Sequence, residues 1–320
     1  MIKKTLQRTA LRLALEMALL EDESVILVGE DIGVYGGAFQ VTAGLHSRFP
    51  NRLLETPITE SGFVGLSIGL ALAGFKPITE IMFMDFSSQI VDQILNQAVK
   101  YRGLYGEDGR VPLIIRTPAG GYKNYGATHS QSLENIFASI HSLNIVYPYS
   151  CQDYYSLFLH YVRNLTSPVL FIENKTLYVK KGELDDSLVY SPRMRVIQEG
   201  KGVLCLSYGH TIDLVLEASK QLSYNPTVVD ICSLKPLVSL DWLFEQVSKY
   251  NHIFIITESP NYASVAEHLS YVINKECFNK LKNPINILSS KDSFIPFSKE
   301  LEKNTLISVE KIIEALDGLN

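Results

Sequence analysis

LETPITESGFVGLSIGLALAG, Leu54–Gly74, places a single acid, Glu60, at the start of an unusually apolar, glycine-rich run. Pro57 disfavours helix just before it, and Thr59 or Ser61 is placed to cap a helix that follows. Gly62, Gly65, Gly69 and Gly74 each lower helix propensity, by up to about 1 kcal/mol in an exposed interior. Such a loss is tolerable where small residues permit close packing at a subunit contact or a cofactor pocket. Glu60 has two readings. An acid in a first helical turn is commonly a dipole partner, worth about 0.3–1 kcal/mol. A carboxylate held beside a buried element is also a candidate for catalysis. The segment by itself favours the dipole role.

This helix runs into a strand pattern at Lys76–Phe83, and the same alternation extends in both directions. A helical pattern at 5–21 leads to the apolar run Val25–Val28. Ser87–Tyr101 reads as helix, with Ile90, Val91, Ile94, Leu95, Ala98 and Val99 at three-to-four spacing. Strand patterns follow at Pro112–Arg116, Asn144–Val146 and Pro168–Glu173, with a helix near Gln152–Arg163 between the last two. Strands alternating with helices predict a mostly parallel sheet covered on both faces. Residues 181–200 are charged, carry Gly182, Pro192 and Gly200, and lack sustained periodicity, so they read as a linker. The alternation restarts at Val203–Ser207 and continues through helices near Ser264–Lys275 and Ser308–Leu316. The expected organisation is an α/β domain over 1–180, the linker, and a smaller α/β domain over 201–320.

A length of 320 residues fits two domains with full cores. The 46% hydrophobic and 20% charged composition is that of a globular protein. A net charge of −5 argues against a general nucleic-acid binder. No apolar run reaches the roughly 18 residues of a membrane span. The acids Glu16 and Glu21 make the opening segment an amphipathic helix rather than a signal peptide. Cys151, Cys205, Cys232 and Cys277 show no C-x-x-C pair, which fits a reducing cytoplasm and small buried hydrophobes.

Three polar constellations stand out. GEDIGVYGGAF, Gly29–Phe39, follows a strand, as a ligand loop at the carboxyl edge of an α/β sheet would, but lacks dinucleotide-binding spacing. TPAGGYKNYGATHSQS, Thr117–Ser132, sets His129 among hydroxyls on a glycine-rich loop, where it suits either proton donation or simple loop hydrogen bonding. EIMFMDF, Glu80–Phe86, alternates like a strand ending in an exposed aromatic. Phe86 there could stack on a ligand ring or pack in the core.

Taken in order, GEDIGVYGGAF, ETPITESGFVGLSIGLALAG, KPITEIMFMDF, DQILNQAVKYR, PLIIRTPAGG and THSQS resemble one family. It is the β subunit of the thiamine-diphosphate-dependent 2-oxo acid dehydrogenases, the pyruvate and branched-chain type, within the transketolase-like superfamily. SYGHTIDLVLEAS and SLKPLVSLD resemble its carboxyl-terminal domain. The resemblance implies a transketolase-like pyrimidine-binding domain followed by a transketolase carboxyl-terminal domain. It implies that Glu60 hydrogen-bonds the aminopyrimidine ring nitrogen of thiamine diphosphate. Phe86 would stack on that ring, with Ile58 and Met82 nearby. Glu30 would sit in a polar channel between paired sites, and His129 would serve a later acyl-transfer step.

The family's magnesium–diphosphate signature, GDG…N, is absent, and GEDG at Gly106–Gly109 does not match it. The resemblance therefore assigns diphosphate and Mg2+ to an α subunit in an α₂β₂ assembly. That assembly docks on a dihydrolipoyl acyltransferase core with a lipoyl domain. Family members often bind K+ through backbone carbonyls near the positions matching Leu113, Tyr161, Val162 and Asn164. Asn164 stands where an acid is usual, which weighs against that ion here. Lys123, Asn124 and Tyr125 also depart from the common pyruvate type, and TESPNYASVAEHL lacks the usual glycines. The implied activity is oxidative decarboxylation of a 2-oxo acid with reductive acylation of a lipoyl group. The rivals are a split transketolase-like or acyloin-forming subunit and a non-catalytic scaffold.

Overall fold

The computed structural model describes residues 2–319, with Glu107 and Asp108 described by their backbone only. The chain divides into two compact units, Met1–Ala119 with Ile136–Ser191, and Gly120–Asn135 with Pro192–Asn320.

The first unit holds β1 (Ile2–Leu6), β2 (Val25–Gly29), β3 (Leu53–Glu55), β4 (Lys76–Glu80), β5 (Ile114–Ala119), β6 (Asn144–Val146), β7 (Val169–Asn174) and β8 (Lys181–Asp185). Six of these run parallel in the order β6-β7-β5-β4-β2-β3. Every residue of VILVG, IIRTPA and VLFIEN is buried, as expected of parallel strands covered on both faces. Helices Gln7–Glu21 and Cys151–Arg163 pack together in this unit. The second begins with a capping box in which Ser150 Oγ accepts from Asp153 N at 3.1 Å and Asp153 accepts from Ser150 N at 2.7 Å. The stretch read as linker contains β8, which pairs antiparallel with β1.

Ser87–Tyr101 departs from the regular helix its spacing suggests. It forms a 3₁₀ segment, Met84–Ile90, then a π-helical segment, Gln93–Ala98, before a short α-helix at Tyr101–Tyr105. Ile90, Ile94 and Ala98 are buried at four-residue intervals, a spacing that a wider turn keeps on one face. Ser87 Oγ donates to the Met84 carbonyl at 2.6 Å, competing for an acceptor an α-helix would use. The Glu80–Phe86 strand reading is corrected in the same region. The strand ends at Glu80, and Phe86 lies half-buried on the 3₁₀ turn.

In the second unit lie β9 (Arg195–Gln198), β10 (Val203–Ser207), β11 (Thr227–Asp230), β12 (Ser233–Lys235), β13 (His252–Pro260) and β14 (Asn286–Ser290). Its sheet runs β14-β13-β10-β11-β9, parallel except at the β9 edge. Helices Thr211–Ser219, Val265–Cys277 and Val309–Leu316 belong to it. All four cysteines are buried free thiols. No described helix is long and apolar enough to cross a membrane.

Candidate active site

The strand order of the first unit locates a crevice. After β2 the chain moves to one side to form β3, then returns to the other side to form β4. Ligands of open α/β sheets bind outside the carboxyl ends of the strands at such a reversal. The Gly29–Phe39 loop leaves β2 there, residues 56–59 leave β3, and Ile81–Phe86 leave β4. Glu30, Ile58, Glu60, Met82 and Phe86 therefore come from the same strand ends.

Glu60 is the first residue of the Glu60–Leu72 helix and is 3% exposed. Neither expected cap forms. Thr59 makes no side-chain cap bond, and its hydroxyl lies where a Cβ on Gly62 would meet it at 2.8 Å. Gly62 is thus needed for close approach by Thr59. Gly65 and Gly69 face open space within this chain, on a helix side shared with exposed Leu66 and Leu72.

Glu30 is also buried, and its Oε2 has no hydrogen-bond partner among the described residues. Burial pushes its carboxyl above the usual carboxylate range, and the nearby charges of Glu60, Asp31 and Glu80 push it further. Glu30 is therefore biased toward its protonated form. The loops leaving the same strand ends carry an aromatic cluster. Phe83 meets Phe39 edge-on at 5.5 Å and Phe86 at 6.0 Å between centroids. Met82 is half-buried, while Ile58 is largely exposed.

Beneath the site is a network the sequence reading missed. Arg116, on β5, donates to Glu173 through Nε at 2.8 Å and Nη2 at 2.7 Å, and pairs with Glu80 through Nη1. Tyr178 also donates to Glu173. All four side chains are buried. The flanking carboxylates hold the Arg116 guanidinium in its charged form against burial. The Glu80 carboxyl sits above its ordinary range because burial and Glu173 outweigh its share of Arg116. The signal was a charge inside each of two apolar runs, PLIIRTP and PVLFIEN. Charges in strands covered on both faces require partners.

His129 lies with the second unit. It is half-buried, with Nδ1 at 2.8 Å from Thr128 Oγ1. Farther along the same segment, fully buried Glu134 accepts from Tyr208 OH at 2.8 Å. Burial pushes its carboxyl up to about 7, with Glu258 adding to the effect. The folded protein therefore binds this proton more tightly than the unfolded chain does. The associated stability is full below about pH 4.5 and is lost as pH rises through about 7, on the order of 3 kcal/mol in all. Melting temperature should fall between pH 5 and 8, and Glu134→Gln should flatten that fall. Equal slopes in the two proteins would contradict this assignment.

Of the carbonyls considered for K+, that of Leu113 has a chain partner, and the Asn164 side chain turns back on its own helix. Leu113 O accepts from Val169 N at 2.9 Å, and Asn164 Nδ2 donates to His160 O at 2.8 Å. Among the described residues no group of three or more His, Cys, Asp or Glu side chains could hold a metal ion.

The side chains at these strand ends have the chemistry to hold a flat heteroaromatic ring with nitrogen donors. They offer two buried carboxylates, an oxygen with no donor among the described residues, and a half-buried aromatic ring. Family models for the transketolase pyrimidine-binding domain match residues 3–181, and those for the transketolase carboxyl-terminal domain match residues 193–312. A solved split-gene transketolase in an inactive β4 tetramer shares the fold, with TM-score 0.77 at 19% identity over 97% of this chain and 96% of that one. Fold and crevice define a transketolase-like protein. The pyruvate dehydrogenase E1 component subunit beta of Rickettsia felis is 35% identical over 97% of this chain and 96% of its own length. That of Porphyra purpurea is 36% identical over 99% and 97%. The acetoin:2,6-dichlorophenolindophenol oxidoreductase subunit beta of Cupriavidus necator is 32% identical over 98% and 97%. The chain belongs to the family of thiamine-diphosphate-dependent 2-oxo acid dehydrogenase β subunits.

Proposed function

We propose that this chain, joined to an α subunit as α₂β₂, decarboxylates a 2-oxo acid of the pyruvate or branched-chain type and acylates a lipoyl group. The observation that carries this reading is a buried Glu60 at the start of its helix, beside buried Glu30, at the strand-order reversal. Thiamine diphosphate, when bound, supplies the electron sink for loss of carbon dioxide. Glu60 holds a proton at the aminopyrimidine ring nitrogen, and its water-poor setting keeps that proton shared rather than lost to solvent. Phe86 orients the ring by stacking, with Met82 and Ile58 at its margin. Glu30 lies in a polar channel between paired sites, where burial favours its protonated form. His129 serves the transfer step by donating a proton to the lipoyl sulfur that leaves as the S–S bond breaks, while the other sulfur takes the acyl group.

The missing GDG…N signature supports an α subunit that brings the diphosphate and Mg2+. The exposed Gly65–Gly69 face, with Leu66 and Leu72, supports a subunit contact there. The acyltransferase core is the implied recipient of the assembly. The Cupriavidus relative's name favours a second reading, an acyloin-using enzyme that hands electrons to an acceptor other than lipoate. The test is reconstitution with the α subunit and thiamine diphosphate, offering pyruvate, branched 2-oxo acids or acetoin. Either a lipoylated domain or 2,6-dichlorophenolindophenol serves as acceptor. Acyl-lipoyl product from a 2-oxo acid is expected. Turnover of acetoin alone, with no acyl-lipoyl product, would favour the second reading.

A further inference from the structure

The segment that carries His129 is held in a costly backbone conformation by acids far away in the chain. Tyr122 and Asn124 have φ of 64° and 56°, a left-handed region that non-glycine residues seldom adopt. Such conformations persist where the surroundings over-determine them. Glu258, at the end of β13, accepts from Gly121 N at 2.5 Å. Glu302 accepts from Asn124 N through both carboxylate oxygens at 3.2 Å. Tyr122 OH donates to Ile307 O at 2.9 Å, which fixes the residue between those anchors. Glu258 and Glu302 are 5% and 4% exposed, so their hydrogen bonds form with little competition from water.

Two glycines let the segment approach this closely. A Cβ on Gly121 would meet Leu306 Cδ1 at 2.5 Å, and one on Gly126 (φ +75°) would meet the Phe297 ring at 2.5 Å. Gly126 also anchors the histidine's own turn, its carbonyl accepting from His129 N at 3.3 Å.

We infer that Glu258 and Glu302 are positioning residues for His129. They act by gripping the backbone of the 120–126 segment with carboxylates. This rests on the proposed role of His129 in acyl transfer. Neither acid touches a reacting atom. Removing a carboxylate releases Gly121 N or Asn124 N and lets Tyr122 and Asn124 relax to ordinary φ, which carries His129 out of place. Gln at either position retains an oxygen acceptor for the backbone N–H and should hold the segment better than Ala.

The experiment uses the enzyme reconstituted with its α subunit and compares two acceptors, a lipoylated domain and 2,6-dichlorophenolindophenol. His129→Ala, Glu258→Ala and Glu302→Ala should each lose acyl transfer to lipoate about tenfold or more, the scale that misplacement of a reacting group commands. Dye reduction, which reports decarboxylation without acyl transfer to lipoate, should change little in Glu258→Ala and Glu302→Ala. Glu258→Gln and Glu302→Gln should restore most of the transfer rate. Gly121→Ala, which leaves both acids in place but pushes the segment off Leu306, should reproduce the selective loss. If His129→Ala loses transfer and the glutamate-to-alanine variants do not, the inference is overturned and the reading of His129 stands. If His129→Ala transfers normally, the reading of His129 fails and the inference with it. Equal loss of both activities in the alanine variants, unrescued by Gln, would show a merely structural role and overturn the inference.

Discussion

Glu60→Gln is expected to lower 2-oxo acid turnover by about 10²- to 10⁴-fold, the usual range for removing a positioned general acid–base group. The amide fills the same space at the first position of the Glu60–Leu72 helix but cannot exchange a proton at the aminopyrimidine nitrogen. Folding and assembly should persist, because Thr59 makes no side-chain cap and the helix does not depend on one there. A carboxylate serving only the helix dipole would cost about 0.3–1 kcal/mol of stability and leave turnover intact. The discriminating measurement is kcat beside melting temperature in the reconstituted enzyme. Near-normal turnover with a lowered melting temperature would return Glu60 to the dipole role.

Arg116→Met should produce the largest loss of stability. It leaves Glu173, fully buried, and Glu80, 6% exposed, without their shared cation. Breaking a buried ion pair from one side costs about 3–5 kcal/mol, because an uncompensated charge remains. Glu80, already raised by burial, would respond by taking up a proton, so the loss should be greatest at high pH and smaller under acid. Adding Glu80→Gln and Glu173→Gln to Arg116→Met should recover much of the loss, since no charge is then stranded. Denaturant unfolding of the full chain measures both variants. A loss below about 1 kcal/mol in the single variant would mean that water reaches the network.

Much of the architecture was legible because parallel strands covered on both faces leave a plain mark, as in VILVG and VLFIEN. Glu60 was legible as the only acid in a helix of small and apolar residues. Helix type was not legible at 84–98. The spacing of Ile90, Ile94 and Ala98 suits a π turn as well as an α turn, and the hydroxyl of Ser87 tips the local balance. Phe86 was misplaced for the same reason, since the strand it was read into stops at Glu80. Arg116 and Glu173 were visible as charges, but their pairing depends on β5 lying beside β7, which chain order does not disclose. The grip on the His129 segment was the least legible feature. Glu258 and Glu302 lie more than a hundred residues from Gly121 and Asn124, and no motif links them.

Carbon dioxide release from a carboxyl-labelled 2-oxo acid is the most direct test of the central claim, that this chain supplies one half of a thiamine diphosphate site. It should be measured for the chain alone, the α subunit alone and the two together, with thiamine diphosphate and Mg2+ present. The proposed function predicts release only from the mixture, and its loss when Glu60→Gln replaces the wild-type chain. Absence of release from pyruvate and from every branched 2-oxo acid, in a mixture that assembles and binds the cofactor, would contradict it.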